Sequence, residues 1–189
     1  MKEEQVHNYI SDVLSGDTAA FTFLVDEYKS MVYSICLKII AHEEIAEEAA
    51  QDTFLKAFQS LSKFKRKSKF STWLYQIAYF TAINAIRKQQ PELSNLDDIA
   101  YKTGNSMSDD FMINQERKEL LHKAILQLKA DERGIITLYY LDELSIEEVA
   151  SITRLTISNV KVKAHRCRKK LYHILEQLLQ DEFKTIQYE

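Results

Sequence analysis

The stretch that decides the fold spans residues 141–171, "LDELSIEEVASITRLTISNVKVKAHRCRKKL". Within it, Ser145 and Glu148 have the Ser-x-x-Glu spacing of a capping box, in which each residue satisfies a free backbone N–H group at a helix start. The sequence therefore predicts a short helix that follows Ser145 and ends at about Thr153. A longer helix is predicted after "RLT", because apolar residues then fall on one stripe. This stripe consists of Ile157, Val160, Ala164, Cys167, Leu171 and Leu175.

The longer helix is basic on the surface opposite its apolar stripe. A short helix, a tight turn and a basic second helix are typical of a helix-turn-helix, whose second helix enters the major groove of duplex DNA. There, Arg and Lys side chains reach guanine edges and phosphates. By itself the pattern also fits an ordinary helical hairpin with a solvated basic face. The basic residues are Lys161, Lys163, Arg166, Lys169 and Lys170.

The whole chain has the composition of an all-α protein. It contains 3 glycines and 1 proline in 189 residues, and 46% of its residues are apolar. Because glycine and proline interrupt helices, their scarcity favours long ones. Helical periodicity predicts one helix after Asp17 as N-cap, a second over about 43–61, and a third that begins after Ser71 and ends near Gln89.

Residues 91–110, "PELSNLDDIAYKTGNSMSDD", have a different character. They hold the proline, a Gly-Asn pair, several serines and five acidic residues. This composition is typical of a flexible linker. We therefore expect two small helical domains, residues 1–90 and 111–189, of which the second carries the helix-turn-helix.

The net charge of -3 conceals two strongly basic segments. No acidic residue lies between Asp52 and Glu92 or between Glu148 and Glu176, yet these segments hold 15 of the 25 Lys and Arg residues. Segment charge decides what a surface attracts, so the sequence predicts two contacts with a polyanion. A solvated helix face is the alternative for each segment taken alone.

The first basic segment continues into aromatic residues: "KFKRKSKFSTWLYQIAYF", residues 63–80. Cations follow the phosphates of single-stranded nucleic acid, and aromatic rings stack on exposed bases for roughly 1–3 kcal/mol each. Duplex DNA hides its base faces, so these rings predict contact with separated strands. Helical spacing also favours a core role for several of them, and we expect only one or two to meet DNA. The candidates are Phe70, Trp73, Tyr75, Tyr79 and Phe80.

Four segments in this order resemble the bacterial RNA polymerase sigma factors, specifically the small two-domain extracytoplasmic-function group. They are "GDTAAFTFLVDEYKSMVYSI", "AEEAAQDTFLKAFQSLSKF", "KSKFSTWLYQIAYFTAINAIRK" and the helix-turn-helix stretch. The resemblance covers nearly the whole chain except the linker. It implies that residues 1–90 are sigma region 2, that residues 91–110 are the linker and that residues 111–189 are sigma region 4. The implied function is to bind core RNA polymerase, direct it to promoters and help melt the minus-ten element.

The resemblance also assigns site residues. The segment that docks on the polymerase clamp is matched by Glu47, Glu48, Gln51, Asp52 and Phe54. The segment that recognises the minus-ten element is matched by Lys65, Arg66, Lys67, Lys69, Phe70, Thr72, Trp73, Gln76, Tyr79, Phe80, Asn84, Arg87 and Lys88. The helix that reads the minus-35 duplex is matched by Ser158, Asn159, Lys161, Val162, Lys163, His165 and Arg166.

Four positions depart from the family pattern. Phe80 stands where many relatives carry an Asn that helps hold a flipped base, so stacking or packing replaces hydrogen bonding there. Ser158 and Asn159 stand where many relatives have Gly-Thr, and Val162 where many have Ser. The family's minus-35 preference therefore does not transfer to this chain.

We expect that the protein is not an enzyme and that it binds no metal, cofactor or small-molecule substrate. The five histidines form no ligand cluster with Cys36 and Cys167, and no phosphate-binding glycine loop occurs. The N-terminus does not resemble a signal peptide and no apolar run is of membrane-spanning length, so a cytoplasmic protein with reduced cysteines is expected. The resemblance further implies association with the nucleoid when polymerase is bound, and an anti-sigma factor, often at the membrane.

Two other classes of protein remain open on these residues. A stand-alone helix-turn-helix repressor or activator explains the C-terminal half only. A helical adaptor that binds proteins alone leaves both basic segments unexplained.

Overall fold

The computed structural model describes residues 3–89 and 109–187, and their regular structure is entirely helical. The predicted all-α class is therefore confirmed over these ranges. Most of the predicted linker, residues 90–108, lies outside the described residues.

The N-terminal half consists of four α-helices and two short 3₁₀ turns. The second helix of the sequence prediction is confirmed as α3, and the third begins at Phe70, so Ser71 lies inside it. Asp17 precedes a 3₁₀ turn, and its side chain makes no capping hydrogen bond. The elements are α1 Glu3–Leu14, the turn Thr18–Ala20, α2 Phe21–Ile40, α3 Glu43–Ser60, the turn Leu61–Lys63 and α4 Phe70–Gln89.

Large apolar side chains of α2 pack against small side chains of α3. Leu24 and Ile35 of α2 are fully buried, whereas α3 presents Ala46 and Ala57 to the core. Helix separation depends on the side chains at the contact, so small residues allow close approach. Each buried Leu or Ile contributes about 1.5–3 kcal/mol. The buried Thr53 hydroxyl donates to the Ala49 carbonyl oxygen at 2.7 Å, which satisfies it within α3.

The C-terminal half contains the predicted helix-turn-helix. Ser145 Oγ accepts from the Glu148 N–H group at 3.2 Å, and the Ser145 N–H group donates to Glu148 Oε2 at 3.0 Å, so the capping box is confirmed. Arg154, at φ 58°, turns the chain in the left-handed conformation between the two helices. The elements are α5 Asp109–Leu126, α6 Ala130–Ile136, a π-helical turn Thr137–Leu141, α7 Ile146–Thr153 and α8 Ile157–Gln187.

The apolar stripe of α8 is largely confirmed. Val160, Ala164 and Cys167 are buried, and Leu171 and Leu175 are half-buried. Ile157 is exposed, because it is the first residue of the helix and lies beyond the packed face. Lower on α8, a small core joins α5, α6 and α8. It consists of Ala124, Ile125, Leu128, Ile136, Cys167 and Ile174.

The two halves pack directly on each other. Helix α7 lies against α4, and α6 lies against α2. Val149 and Ile152 of α7 belong to the same core as Leu24 and Leu74 of the N-terminal half. The sequence predicted two helical units but not this contact between them.

Candidate polymerase and nucleic-acid interfaces

The predicted polymerase-binding residues form an exposed face of α3. Glu47, Glu48, Gln51 and Asp52 are exposed, while Phe54 is half-buried against the core. Only part of the Phe54 ring is therefore exposed to serve as the expected apolar anchor. Lys56 lies 3.4 Å from Asp52, an exposed pair that contributes little to stability.

Two apolar residues extend this face and were missed by sequence reasoning. Leu55 is 55% exposed and Phe58 is 38% exposed. Leu55 follows Gln51 by four positions and Phe58 follows Leu55 by three, so all lie on the same side of the helix. That spacing was the signal in the sequence. Phe58 also contacts the Phe21 ring edge-on, with centroids 5.1 Å apart. We call Glu48, Gln51, Asp52, Leu55 and Phe58 the α3 face.

The basic loop between α3 and α4 is exposed and anchored at both ends. Phe64 and Phe70 are buried, and their rings meet edge-on with centroids 5.6 Å apart. Arg66 has φ 55°, and its Nη2 donates to Ser11 Oγ at 2.9 Å. The cations of the loop point outward, where they can meet phosphates. They are Lys65, Arg66, Lys67 and Lys69.

Phe70, a predicted base contact, is enclosed in this structure. Phe70 is 1% exposed and packs among the rings of Tyr28, Phe64 and Trp73 at 5.4–5.6 Å. A ring enclosed in this way has no free face on which a base can stack. Thr72, also predicted to contact DNA, is buried as well.

The middle of α4 is covered by the C-terminal half. Tyr79 is 6% exposed, so in this conformation it cannot contact DNA as predicted, and burial together with the charge of Asp131 raises its pKa to about 12. Phe80 is half-buried, and the Arg154 guanidinium lies 5.1 Å from its ring centroid. Gln76 Nε2 donates to the Ser151 carbonyl oxygen at 2.6 Å.

The remaining predicted minus-ten residues lie at the two ends of α4. Trp73 is half-buried beside Phe64, with ring centroids 5.3 Å apart. Asn84, Arg87 and Lys88 are exposed near the C-terminal end. Basic residues there also favour the helix, because they complement the partial negative charge of its C-terminus.

The predicted minus-35 residues are exposed with one exception. Lys163 is half-buried, and its Nζ donates to Asp131 Oδ2 at 2.8 Å, so in this structure it is engaged within the protein. Lys170 is bound to Glu132 at 2.6 Å in the same way. The exposed members are Ser158, Asn159, Lys161, Val162, His165 and Arg166.

These two ion pairs join α8 to α6. Partial burial raises the pKa of Asp131, but hydrogen bonding and charge from Lys163 outweigh it and hold the pKa below its ordinary value. Glu132 behaves likewise, since Lys170 and the Lys129 N–H group offset its partial burial and lower its pKa. The α8 N-terminus is capped by Thr156, whose Oγ1 accepts from the Asn159 N–H group at 3.2 Å.

Other site types find no support within the described parts of the chain. There, no group of three or more His, Cys, Asp or Glu residues is arranged to hold a metal ion. Nor does any helix in these ranges combine the length and apolarity needed to cross a membrane. Cys36 and Cys167 are buried free thiols, and burial raises the pKa of Cys36 to about 12.

Comparison with known proteins gives the class. The family model for Sigma-70 region 2 matches residues 24–92, and the model for Sigma-70, region 4 matches residues 118–171. The ECF RNA polymerase sigma factor SigW of Bacillus subtilis is 32% identical over 186 residues, which are 93% of this chain and 100% of the relative. The ECF RNA polymerase sigma-E factor of Escherichia coli is 30% identical over 180 residues, 90% of this chain and 94% of the relative.

Solved structures share the fold. The structure of CnrH in complex with the cytosolic domain of CnrY has a TM-score of 0.65 at 19% identity, covering 93% of this chain and 99% of that chain. The sigma factor RpoE in complex with the anti-sigma factor NepR from Bartonella quintana has a TM-score of 0.66 at 23% identity, covering 82% of this chain and 96% of that chain.

Region 2 in the N-terminal half and region 4 in the C-terminal half define a promoter-specificity subunit. The chain belongs to the extracytoplasmic-function (ECF) family of bacterial RNA polymerase sigma factors. Its function is promoter-specific initiation of transcription with RNA polymerase.

Proposed function

We propose that three surfaces divide the work of initiation. The α3 face binds core RNA polymerase, the exposed side of α8 reads the minus-35 duplex, and the basic loop with α4 holds the separated minus-ten strand. The observation that carries this proposal is the presence, on one chain, of an acidic and apolar helix face beside two separate basic surfaces. On this division, residues 1–90 act as region 2 and residues 111–189 as region 4.

The α3 face suits a basic protein partner with an apolar centre. Charged groups at an interface steer association and select the partner, whereas buried apolar anchors supply most of the binding energy. Glu48 and Asp52 provide the charge, and Leu55 and Phe58 provide the apolar contact. This distribution replaces the single anchor that the sequence assigned to Phe54.

The exposed side of α8 combines polar and apolar readers. Lys161 and Arg166 suit phosphates or guanine, and Asn159 suits adenine. Val162 is 45% exposed, and an apolar side chain in the major groove suits the methyl group of thymine. Lys163 contributes instead to the position of α8, through its ion pair with Asp131.

Melting follows from binding alone. Lys65, Arg66, Lys67 and Lys69 neutralise phosphates of the displaced strand, and the binding free energy offsets the cost of unpairing. Since Phe70 and Tyr79 are buried, the half-buried Trp73, Tyr75 and Phe80 are the predicted aromatic residues left to stack on a base. No covalent step is required, so the protein acts as a binding subunit and not as an enzyme.

Regulation and location follow from the family. We propose that a protein inhibitor holds the chain inactive, as the solved complex of the sigma factor RpoE with the anti-sigma factor NepR illustrates for that protein. A polymerase subunit works where polymerase and DNA are found. We therefore propose a cytoplasmic location, with the nucleoid as the site of action.

Run-off transcription tests the function. The full chain, core RNA polymerase and a genomic library of promoters should give discrete transcripts that neither component gives alone. A repressor or a protein-only adaptor would give none.

Charge reversal in the α3 face tests the polymerase surface. Glu48→Lys should weaken binding to core polymerase, because a reversed charge at a complementary interface is repulsive. Its thermal stability should change by less than about 0.5 kcal/mol, as is usual for exposed sites. Asp12→Lys, an exposed acid on α1, is the matched control. Affinity is measured by titration with labelled core polymerase. Equal affinities of the two variants would disprove the assignment.

A further inference from the structure

A cavity lies where the two halves of the chain meet, between the C-terminal end of α4 and the start of α6. Its volume is about 630 Å³, and small-molecule sites usually measure roughly 300–1,000 Å³. We propose that this cavity binds a small phosphorylated molecule with an apolar body, of the nucleotide class. The inference goes beyond the proposed function, since no residue of the α3 face or of the exposed side of α8 lines the cavity.

Three cationic side chains line the cavity. Arg87 lies in the last turn of α4, Lys129 directly precedes α6, and Arg133 lies within α6. None of the three takes part in an ion pair among the described residues. Asp131 also lines the cavity, but it is bound to Lys163 at 2.8 Å, so its charge is offset within the protein. The described lining therefore carries an excess of positive charge, which attracts an anion.

Arg133 points most directly to an anionic ligand. Its Nε atom is buried and has no hydrogen-bond partner among the described residues. Burial lowers the pKa of its guanidinium, because a charge is being removed from water. Its charge also lowers the pKa of His122, so the electrostatic contact between these two residues is unfavourable. Buried charges in proteins are normally paired, since desolvation of an unpaired charge is costly. An anion in the cavity would supply the partner.

The chemistry of the lining favours a phosphorylated molecule over a simple carboxylate. The planar fork of arginine matches two oxygens of a phosphate or a carboxylate, and a lysine ammonium adds a point charge. Three cations exceed what one carboxylate can balance, so a group with two or more negative charges, such as a diphosphate, fits better. The rest of the cavity is aliphatic. Ile83, Ile86 and Leu128 offer an apolar surface to the body of the ligand.

Phosphates of the DNA strand are the other source of this chemistry, because Arg87 was predicted to contact that strand. Two observations favour the small molecule. Lys129 and Arg133 come from the other half of the chain and are not among the predicted DNA residues, and the aliphatic lining has no use for a phosphate backbone. A ligand held by Arg87 on one side and by Lys129 and Arg133 on the other would join the two halves and stabilise their contact.

Titration calorimetry of the full chain with nucleoside diphosphates tests the site. The probes are ADP, GDP, CDP and UDP, and inorganic pyrophosphate represents the charged part alone. At least one nucleotide should bind more tightly than pyrophosphate, because its body adds apolar contact. That nucleotide should also raise the melting temperature, since a ligand that binds only the folded state stabilises it. No binding by any of the four nucleotides, or binding no tighter than that of pyrophosphate, would overturn the proposal.

Arg133→Met separates a binding residue from a structural one. Methionine keeps an unbranched side chain and removes the charge. The variant should bind the nucleotide at least about ten-fold more weakly, because charge-assisted hydrogen bonds are lost. Without ligand, its melting temperature should equal or exceed that of the wild type, because an unpaired buried charge is gone. A lower melting temperature with unchanged nucleotide affinity would show a structural arginine and overturn the proposal.

Two further variants keep the test decisive. Lys129 is exposed, so Lys129→Ala should fold normally and still weaken nucleotide binding. Arg168→Met, the same chemical change at an exposed arginine of α8 outside the cavity, is the matched control and should bind like the wild type. Equal nucleotide affinities of Lys129→Ala and the control would contradict the site.

A single-stranded oligonucleotide of random sequence distinguishes the two sources of phosphate. Lys129→Ala and Arg133→Met should leave the affinity of the full chain for this oligonucleotide unchanged, while nucleotide affinity falls. If both variants instead lose oligonucleotide affinity and the wild type binds no nucleotide, the cavity belongs to the path of the DNA strand and the proposal is overturned.

Discussion

Phe70 and Phe80 both belong to α4, but their side chains lie in different environments. Phe70 is enclosed by three rings of its own half, whereas Phe80 is half-buried beneath Arg154. Replacing a buried Phe with Ala costs about 3–5 kcal/mol, from lost transfer energy and the cavity left behind. Phe70→Ala should therefore lower the free energy of unfolding by about that amount in urea denaturation. Phe80→Ala should cost roughly 1–2 kcal/mol, since much less of its surface is buried. Equal losses would contradict this distinction.

Sequence periodicity located these aromatic residues but could not sort them. Positions 70, 73 and 80 all suit a helix stripe, and burial depends on which neighbouring helix covers each turn. The enclosure of Phe70 comes from Tyr28, 42 positions away, and the cover over Phe80 comes from Arg154, in the other half of the chain. Such partners leave no trace in a local pattern. The basic loop, in contrast, was predicted correctly as an exposed surface because charge itself favours exposure.

At the scale of one element, α8 carries an exposed lysine, to which we assign a DNA contact, and lysines that are paired with acids of α6. Lys161 is exposed, whereas Lys163 is paired with Asp131. Each phosphate contact adds about 0.9 to the slope of log affinity against log salt. Lys161→Ala in the polymerase complex should reduce that slope by about 1 on minus-35 duplex DNA. Lys163→Ala, the matched control, should leave it unchanged. The reverse result would show that Lys163, and not Lys161, contacts DNA.

The α6–α8 contact should be sensitive to acid. The pKa values of Asp131 and Glu132 are lowered in the folded protein, so protons bind more tightly to the unfolded chain. Their stabilisation is therefore full above the ordinary values of about 3.9 and 4.3, and it is lost as pH falls through the lower folded values. Thermal melting should show a loss below about pH 5 that is smaller in Asp131→Asn/Glu132→Gln.

His122 affects stability over a separate, higher pH range of the same titration. Burial and then Arg133 lower its pKa, so its contribution falls as pH drops below about 6.5. The double variant keeps His122 and should retain that part of the loss. An unchanged acid profile in the double variant would show that the two ion pairs do not support α8.

The arrangement of the whole molecule could be predicted least. The span of α3, the capping box and the helix-turn-helix follow from local spacing and were predicted correctly, whereas the helix starts predicted at Asp17 and Ser71 were wrong. The packing of α7 on α4 depends on Asp142 meeting Lys38, 104 positions away, and on a close approach at Gly134. In the sequence, Asp142 is one acid among 28, and Gly134 is simply a glycine inside a helix. Neither residue indicates, in the sequence, which residue it contacts in the fold.

Melting is the property of the whole molecule that the basic loop should control. A triple variant, Lys65→Ala/Arg66→Asn/Lys67→Ala, removes three exposed cations, and Asn is chosen because it tolerates the left-handed φ of Arg66. The variant should bind core polymerase and closed promoter DNA normally, because the α3 face and α8 are untouched. It should open linear promoters more slowly, as fewer cations hold the displaced strand.

A promoter with a pre-melted bubble separates a melting defect from other losses. If strand separation is the affected step, the bubble should restore transcription by the triple variant towards the wild-type level. Lys29→Ala, an exposed lysine of α2 paired with Asp26 at 2.9 Å, is the control and should open both templates normally. Permanganate footprinting of unpaired thymines measures opening directly. A folded triple variant that opens linear promoters at the wild-type rate would exclude a role in melting for the loop, and α4 would then have to separate the strands alone.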